Sequence, residues 1–214
     1  FQVPEEDEVG YLSLMCGVGG GALAAWGAGC SKKRTVLTDV CDEHCAILRE
    51  RFPGATVIPG DIKKTEVRRR ILDAAAKNNV KFVDASLNCQ PSTDILDKFD
   101  EDDERHEINE LIVRIVEEIN PLAFCLEDVV GFRHNQPKAF EHMLSMLRAI
   151  FDTVEVIVFN AKHAKVGQNR NRLFFVCGNG VDISRVKAAG MRINSSQLSC
   201  MTISKMSLKG PLMS

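Results

Sequence analysis

Residues 11–26, Tyr-Leu-Ser-Leu-Met-Cys-Gly-Val-Gly-Gly-Gly-Ala-Leu-Ala-Ala-Trp, decide the fold. The apolar run at 11–15 predicts a β-strand, the glycines predict a tight turn, and residues 22–26 begin a helix. This order brings the backbone close to a ligand at a helix N-terminus. A tight turn without any ligand explains the glycines alone equally well, so the motif needs support from elsewhere.

The first support is Asp39, which ends the second short strand about 20 residues past the glycines. At that distance, nucleotide-binding βαβ units place an acidic residue that accepts hydrogen bonds from ribose hydroxyls. Cys41, His44 and Cys45 follow on a predicted helix with a spacing that suggests a metal site. Structural zinc takes four ligands and no second ligand pair follows, so we favour a partly buried helix face and predict no metal.

Further apolar runs predict strands at 56–58, 82–83, 122–126, 154–159 and 173–177, each separated from the one before it by a helical pattern or a polar loop. Residues 108–119 form the clearest amphipathic helix, and residues 122–126 are typical of a central strand buried on both faces. Alternating strands and helices favour an α/β fold with a doubly wound, mainly parallel sheet. We predict an acidic lead-in at 1–9, one domain at 10–178 and a short tail at 179–214.

Reactive side chains follow two of these strands. Phe82 leads into the polar residues 84–93, which place Cys89 just past a strand, and Glu127 with Asp128 closes the run at 122–126. Ligands and reacting groups collect at the carboxyl ends of strands in open α/β sheets. Cys89 is therefore a candidate nucleophile, although a free cysteine more often behaves as a small buried hydrophobe.

Composition narrows the class of protein. The 214 residues are 45% hydrophobic and 26% charged, which allows one globular domain with a real core. The net charge of −2 offers no overall basic field, so any nucleic-acid contact needs a local patch. Eight irregularly spaced cysteines without a signal-peptide pattern predict an intracellular protein, in the nucleus of a eukaryote or the cytoplasm of a prokaryote. No apolar run approaches the ~20 residues of a membrane span, and the oligomeric state is left open.

Taken together, these motifs resemble those of the cytosine-carbon-5 methyltransferases, in order and spacing, from residue 12 to about 178. Residues 14–20 are similar to that family's S-adenosylmethionine loop, with Met15 where an aromatic residue is usual. Asn-Cys-Gln at 88–90 falls on the Pro-Cys-Gln nucleophile motif, Glu-Asp-Val at 127–129 on Glu-Asn-Val, and Gln-Asn-Arg-Asn-Arg at 168–172 on Gln-x-Arg-x-Arg. The resemblance implies a Rossmann-like S-adenosylmethionine-dependent methyltransferase domain at 10–178. Its cofactor-binding residues would be Met15, Gly17, Gly19, Gly20, Asp39, Asp61, Ile62 and Ile108.

The same resemblance implies a mechanism. The Cys89 thiolate would add to carbon 6 of cytosine, because carbon 5 is a poor nucleophile until electrons are pushed onto it. Glu127, in a dry pocket that raises its pKa toward neutrality, would hydrogen-bond nitrogen 3, and Arg172 or Arg170 would hold the oxygen at carbon 2. The methyl then passes from the sulfonium to carbon 5. The target base must first be flipped out of the duplex.

Several positions depart from the family pattern. Asn88 replaces a proline, and residues 85–87 replace a glycine- and proline-rich lead-in to the nucleophile. Asp128 replaces an asparagine and is expected to place a second negative charge beside Glu127. The acidic run at 100–104 occupies a loop that would close over DNA. About 36 residues follow position 178, and we expect them to be too few for a target-recognition region and a returning helix.

Three functions stay open at this point. A DNA cytosine methyltransferase acting on a flipped cytosine is the leading hypothesis, with RNA the less favoured substrate. The transfer-RNA branch of the same family is the second, because Cys-Gln-Pro-Ser-Thr at 89–93 faintly resembles it. The third is an inactive module that binds S-adenosylmethionine and regulates without turnover.

Overall fold

The structure is a computed structural model that describes residues 9–87, 104–164, 167–180 and 183, with backbone alone at 104–106. Its elements in chain order are β1 (Gly10–Leu14), α1 (Gly20–Gly27), β2 (Thr35–Asp39), α2 (Asp42–Arg51), β3 (Thr56–Pro59), α3 (Thr65–Lys77), β4 (Val80–Ser86), α4 (Glu104–Ile119), β5 (Ala123–Asp128), α5 (Val130–Asn135), α6 (Pro137–Ile150), β6 (Thr153–Asn160) and β7 (Asn171–Gly178). A 3-10 helix, Ala161–Ala164, follows β6. Cys89 and nearly all of the tail at 179–214 lie outside the described residues.

The strands form one seven-stranded sheet in the order β3-β2-β1-β4-β5-β7-β6. Neighbours among β3, β2, β1, β4 and β5 pair in parallel, whereas β7 is antiparallel to both β5 and β6. The predicted mainly parallel, doubly wound sheet is therefore confirmed. The antiparallel strand has a simple cause, because residues 161–170 between β6 and β7 are too few for a parallel crossover.

The strand order reverses between β1 and β4. The chain runs outward from β1 through β2 to β3, and it then returns to place β4 on the other side of β1. A crevice opens at the carboxyl ends of the strands at such a switch point, and this is where open α/β sheets bind ligands.

Helices cover both faces of the sheet. Tyr11 and Leu12 are adjacent on β1, yet Tyr11 packs with residues of α1 and α2 while Leu12 packs with residues of α3, α4 and α6. Side chains alternate between the faces of a strand, so one strand serves two core clusters. On the α1 side, α1 contacts β1, and α2 contacts β2 and β3.

The prediction of a central strand buried on both faces is only partly right. Phe124 and Leu126 are fully buried, but Leu122 is 37% exposed and Cys125 is partly exposed. Leu122 precedes β5, and Cys125 lies on the α1 side of the sheet, where α1 and α2 pack chiefly on β1, β2 and β3 and so cover β5 less.

The helix α5 and the 3-10 helix at Ala161–Ala164 were not predicted, and β7 is longer than the strand predicted at 173–177. The helix α5 follows β5 directly, and β7 already begins at Asn171 inside the segment that was expected to be a polar loop. Pairing of Asn160 with Asn171 extends the β6–β7 ladder into that polar segment. None of the helices in the described part of the chain has the length and apolar character that a membrane span requires.

Candidate active site

A cavity of about 250 Å³ lies at the carboxyl ends of β1, β2 and β3. Its lining is Met15, Thr38, Asp39, Val40, Gly60, Asp61, Ile62, Lys63 and Ile108. The lining combines residues at or just after the ends of three strands with one residue from α4, so elements far apart in sequence form a single site. Five predicted cofactor-binding residues meet there: Met15, Asp39, Asp61, Ile62 and Ile108.

The three predicted glycines form the turn between β1 and α1, beside this lining. Gly17 has a φ of 54° and Gly19 a φ of 85°, a left-handed region that glycine adopts at no steric cost. A Cβ added at Gly19 would collide with the Phe52 ring, whereas one added at Gly17 or Gly20 would meet nothing within 4 Å. Gly19 is thus required for packing on α2, and open space lies over Gly17 and Gly20.

Asp39 connects the glycine turn to the end of β2. Its carboxylate is buried, and its Oδ2 accepts a hydrogen bond of 2.7 Å from the Gly17 N–H. The other oxygen, Oδ1, accepts from the Cys41 N–H at 3.0 Å and lies 3.1 Å from His44 Nδ1. An ionised carboxylate accepts about four hydrogen bonds, so capacity is left for a ligand hydroxyl. The ribose contact of Asp39 stays a prediction.

The residue before Asp39 contains an unsatisfied polar atom. Thr38 lines the cavity, and its buried Oγ1 has no hydrogen-bond partner in the described part of the chain. A buried hydroxyl without a partner costs free energy, so a polar group of a ligand is the expected partner. Lys63 Nζ pairs with Glu107 Oε2 at 3.2 Å and so connects the turn after β3 to α4 beside the cavity.

A second centre lies at the end of β5, where Glu127 accepts two hydrogen bonds. Arg172 Nε donates to Glu127 Oε1 at 3.0 Å, and the Ser86 hydroxyl donates to Oε2 at 3.1 Å. Ser86 lies beside Glu127 in the β4–β5 ladder, and β7 brings Arg172 to the same face. The structure therefore brings Glu127 and Arg172 together across 45 positions of sequence. Ser86 was not singled out from the sequence.

The two candidate arginines differ in their surroundings. Arg170 is exposed, and its side chain makes no hydrogen bond or ion pair within the described residues. Arg172 is 20% exposed and pairs with Glu127, which is 33% exposed. The structure thus places Arg172, and not Arg170, beside Glu127. Glu127 is partly exposed among the described residues, and the dry pocket expected around it stays a prediction because residues 88–103 lie outside the described part of the chain.

Asp128 does not place a second negative charge beside Glu127, as was expected from the sequence. It is buried, and its Oδ1 accepts a 2.6 Å hydrogen bond from the Val129 N–H. Adjacent residues on a strand face opposite sides of the sheet, so its charge is directed away from Glu127.

A third carboxylate, Asp84, was missed although it interrupts the apolar run of β4. Its Oδ1 accepts a 2.7 Å hydrogen bond from the Tyr11 hydroxyl, and a Cβ at Gly21 would collide with its Oδ2. Burial raises the pKa of Asp84 to about 6, hydrogen bonds from Ser13 and Tyr11 oppose that rise, and the Glu127 charge adds to it. Gly21 is therefore required because the partly buried Asp84 carboxyl lies beneath the start of α1.

Five of the six described cysteines are poor nucleophiles. Burial raises the pKa of the Cys16 and Cys177 thiols to about 12 and that of Cys30 to about 11, and it also raises the pKa of Cys45 and Cys125. A thiol must ionise to attack, so none of these five is activated. The proposed nucleophile Cys89 lies outside the described residues, and its role stays a prediction.

Three comparisons with known proteins bear on this geometry. The model of the family described as C-5 cytosine-specific DNA methylase matches residues 9–204. Type II methyltransferase M.Eco47II of Escherichia coli is 28% identical over 183 residues, which are 82% of this chain and 42% of that protein. Type II methyltransferase M1.BsuMI of Bacillus subtilis (strain 168) is 23% identical over 182 residues, with coverage of 78% and 42%. The chain thus spans less than half the length of these relatives.

Two solved structures share the fold. One is a prophage-encoded E. coli protein assigned as a DNA modification methyltransferase, with a TM-score of 0.65, 20% identity and coverage of 84% of this chain and 48% of that chain. The other is the Dnmt2 methyltransferase of S. pombe, with a TM-score of 0.61, 18% identity and coverage of 81% and 50%.

Proposed function

We propose a function for this chain from the premise that it belongs to the family of C-5 cytosine-specific DNA methylases. The function is transfer of a methyl group from S-adenosylmethionine to carbon 5 of a flipped-out cytosine in DNA. The observation that carries the proposal is the pairing of Glu127 with Arg172 at the carboxyl edge of the sheet. The proposed reaction needs a glutamate that hydrogen-bonds the cytosine ring and an arginine that holds the same ring. In this chain Glu127 and Arg172 lie side by side.

The cavity suits the cofactor by the chemistry of its lining. Asp39 and Asp61 offer carboxylate oxygens for ribose hydroxyls and an adenine amino group, and Ile62 and Ile108 offer apolar surface for the adenine ring. The orphaned Thr38 Oγ1 is a further polar partner. When bound, S-adenosylmethionine supplies an electrophilic methyl group on a sulfonium, and the open space over Gly17 and Gly20 leaves room for its amino-acid part.

The nucleophile follows β4 closely in sequence. Cys89 is three positions after Ser86, and three extended residues span at most about 11 Å. Because the Ser86 hydroxyl is bound to Glu127, the chain itself limits how far Cys89 can lie from the acid. The short connection to β4 is therefore compatible with the role that the motif implies for Cys89.

Each residue then has a distinct role. The Cys89 thiolate adds to carbon 6, while Glu127 hydrogen-bonds nitrogen 3 and Arg172 holds the oxygen at carbon 2. The electron-rich carbon 5 takes the methyl group, and loss of the carbon 5 proton with elimination of the thiolate restores the aromatic ring. The substrate base leaves the duplex stack to reach these groups.

A trapping experiment tests this proposal. The chain is incubated with labelled S-adenosylmethionine and duplex DNA containing 5-fluorocytosine, whose fluorine cannot leave as a proton does. We expect a covalent adduct that maps to the peptide containing Cys89 and is absent from Cys89→Ser. An adduct on another cysteine would refute the assignment of the nucleophile. Cofactor binding without any adduct would instead favour the regulatory module.

Transfer RNA is the second candidate substrate, on the observation that residues 89–93 read Cys-Gln-Pro-Ser-Thr. Parallel assays with transfer RNA and duplex DNA separate the two. Methyl transfer to RNA alone would replace the DNA proposal.

A further inference from the structure

Arg68 is the first of three consecutive arginines on α3, a pattern that usually marks a solvent-exposed helix face. In the structure Arg68 is partly buried and turns back toward the start of its own helix. Its Nη1 donates to the Ile62 carbonyl at 2.9 Å and the Lys63 carbonyl at 2.7 Å, and its Nη2 donates to the Thr65 hydroxyl at 3.0 Å. The neighbouring Arg69 is exposed and makes no hydrogen bond or ion pair among the described residues.

The carbonyls that Arg68 binds belong to the turn between β3 and α3. Residues 60–63 of this turn line the cavity. The turn is also held from within, because Asp61 Oδ1 accepts a hydrogen bond from the Lys63 N–H at 2.9 Å. Gly60 has a φ of 133°, and a Cβ there would meet Val67 Cγ2 at 2.8 Å, so the turn lies tightly against α3.

We propose that Arg68 is a positioning residue for the cofactor, one that holds the wall of the cavity in its binding conformation. This inference rests on the proposed function of the cavity. Peptide units are planar, so fixing the carbonyls of Ile62 and Lys63 also fixes the direction of the N–H groups that follow them. A guanidinium presents its donors in a rigid fork, which suits two successive carbonyls and a hydroxyl.

The expected loss of cofactor affinity follows from the free-energy cost of ordering the turn between β3 and α3. Without Arg68 the two carbonyls are bound by water, and the turn has to be ordered when the cofactor binds. Preorganised sites avoid such a cost, and its appearance weakens binding. The guanidinium itself need not touch the cofactor, because it acts through the backbone of the turn.

The test is isothermal titration calorimetry of the whole chain with S-adenosylhomocysteine. Four proteins are compared: wild type, Arg68→Gln, Arg68→Lys and the matched control Arg69→Gln. We expect Arg68→Gln to bind about 5- to 30-fold more weakly, the factor that one or two lost interactions produce, and Arg69→Gln to bind as wild type does. Thermal unfolding without ligand, and amide hydrogen exchange at residues 62–64, accompany each titration. Faster exchange confined to the turn in Arg68→Gln supports positioning.

The outcomes separate the inference from the proposed function. No binding by wild type would overturn the assignment of the cavity and this inference with it. Wild-type binding with equal affinities for Arg68→Gln and Arg69→Gln would overturn the inference alone. Arg68→Lys keeps the charge and the long stem but lacks the fork, so we expect it to bind weakly too. Full affinity in Arg68→Lys would show that charge suffices and would overturn positioning by the fork. If Arg68→Gln does not fold, Arg68→Lys decides the question.

Discussion

Replacing Asp84 by asparagine should change how the stability of the protein depends on pH. Asp84 lies between Ser13 of β1 and Cys125 of β5 in the sheet. Burial raises its pKa from the usual 3.8 to about 6, even though Ser13 and Tyr11 donate hydrogen bonds to it. Asparagine keeps the shape of the side chain and an oxygen that can accept from Tyr11, but it carries no charge at any pH.

The sign follows from proton linkage. Below about pH 4 Asp84 is protonated in both the folded and the unfolded chain, so it does not make the free energy of unfolding depend on pH. Between about pH 4 and 6 the folded chain holds a proton that the unfolded chain has lost, and stability falls as the pH rises. Above about pH 6 Asp84 is ionised in the folded chain as well, and the loss of stability is complete. Because each unit of pKa is worth about 1.4 kcal/mol, a shift of about two units gives about 3 kcal/mol as an upper value. Asp84 is only partly buried, so we expect about 1–3 kcal/mol.

The measurement is urea unfolding of wild type and Asp84→Asn from pH 4 to pH 8. The free energy of unfolding of the variant, relative to wild type, should rise from pH 4 to about pH 6 and then level off. Asp73→Asn removes an exposed carboxylate of α3 and serves as the control. A difference that is constant across this range, or one that favours wild type increasingly at high pH, would refute the argument from burial.

Four further predictions concern activity and binding. Asp39→Ala leaves the Gly17 N–H without its partner, and calorimetry should show S-adenosylmethionine binding weakened by about 1–3 kcal/mol; unchanged affinity would count against Asp39 as a cofactor contact. Cys89→Ser should lose the 5-fluorocytosine adduct, as judged on denaturing gels, and should keep its affinity for S-adenosylhomocysteine, since a hydroxyl is far less ionised than a thiol. Arg172→Lys should slow adduct formation about 100-fold or more in a quenched time course, while Arg170→Lys should slow it much less, because only Arg172 lies beside Glu127; equal effects would return both arginines to consideration. DNA binding should be weak and nonspecific, about 10⁻⁴–10⁻⁶ M at physiological salt, and nanomolar, sequence-selective anisotropy curves would contradict this.

The sequence by itself determined the order of the elements and the positions of the reactive residues. Its apolar periodicities and glycine turn predicted the alternation of strands and helices, because these depend on neighbours within a few residues. The motifs then implied that Asp39 and Glu127 lie at strand ends and that the arginine pair lies just before the last predicted strand. Residues at the carboxyl ends of parallel strands share one edge of the sheet, so their convergence could be expected as well.

Only the tertiary structure decided which of these groups meet. Arg172 lies beside Glu127 because β7 pairs with β5 in the antiparallel direction. The sequence pattern of a strand does not indicate which other strands will pair with it. Arg68 and Arg69 are identical and adjacent in sequence, yet only Arg68 reaches the turn at 60–63, because successive residues on a helix point about 100° apart. Asp84 acquires its raised pKa from the surroundings that β1, α1 and β5 create around it. Local patterns are set by nearby residues, whereas these contacts depend on elements that are distant in sequence and are therefore visible only in the folded chain.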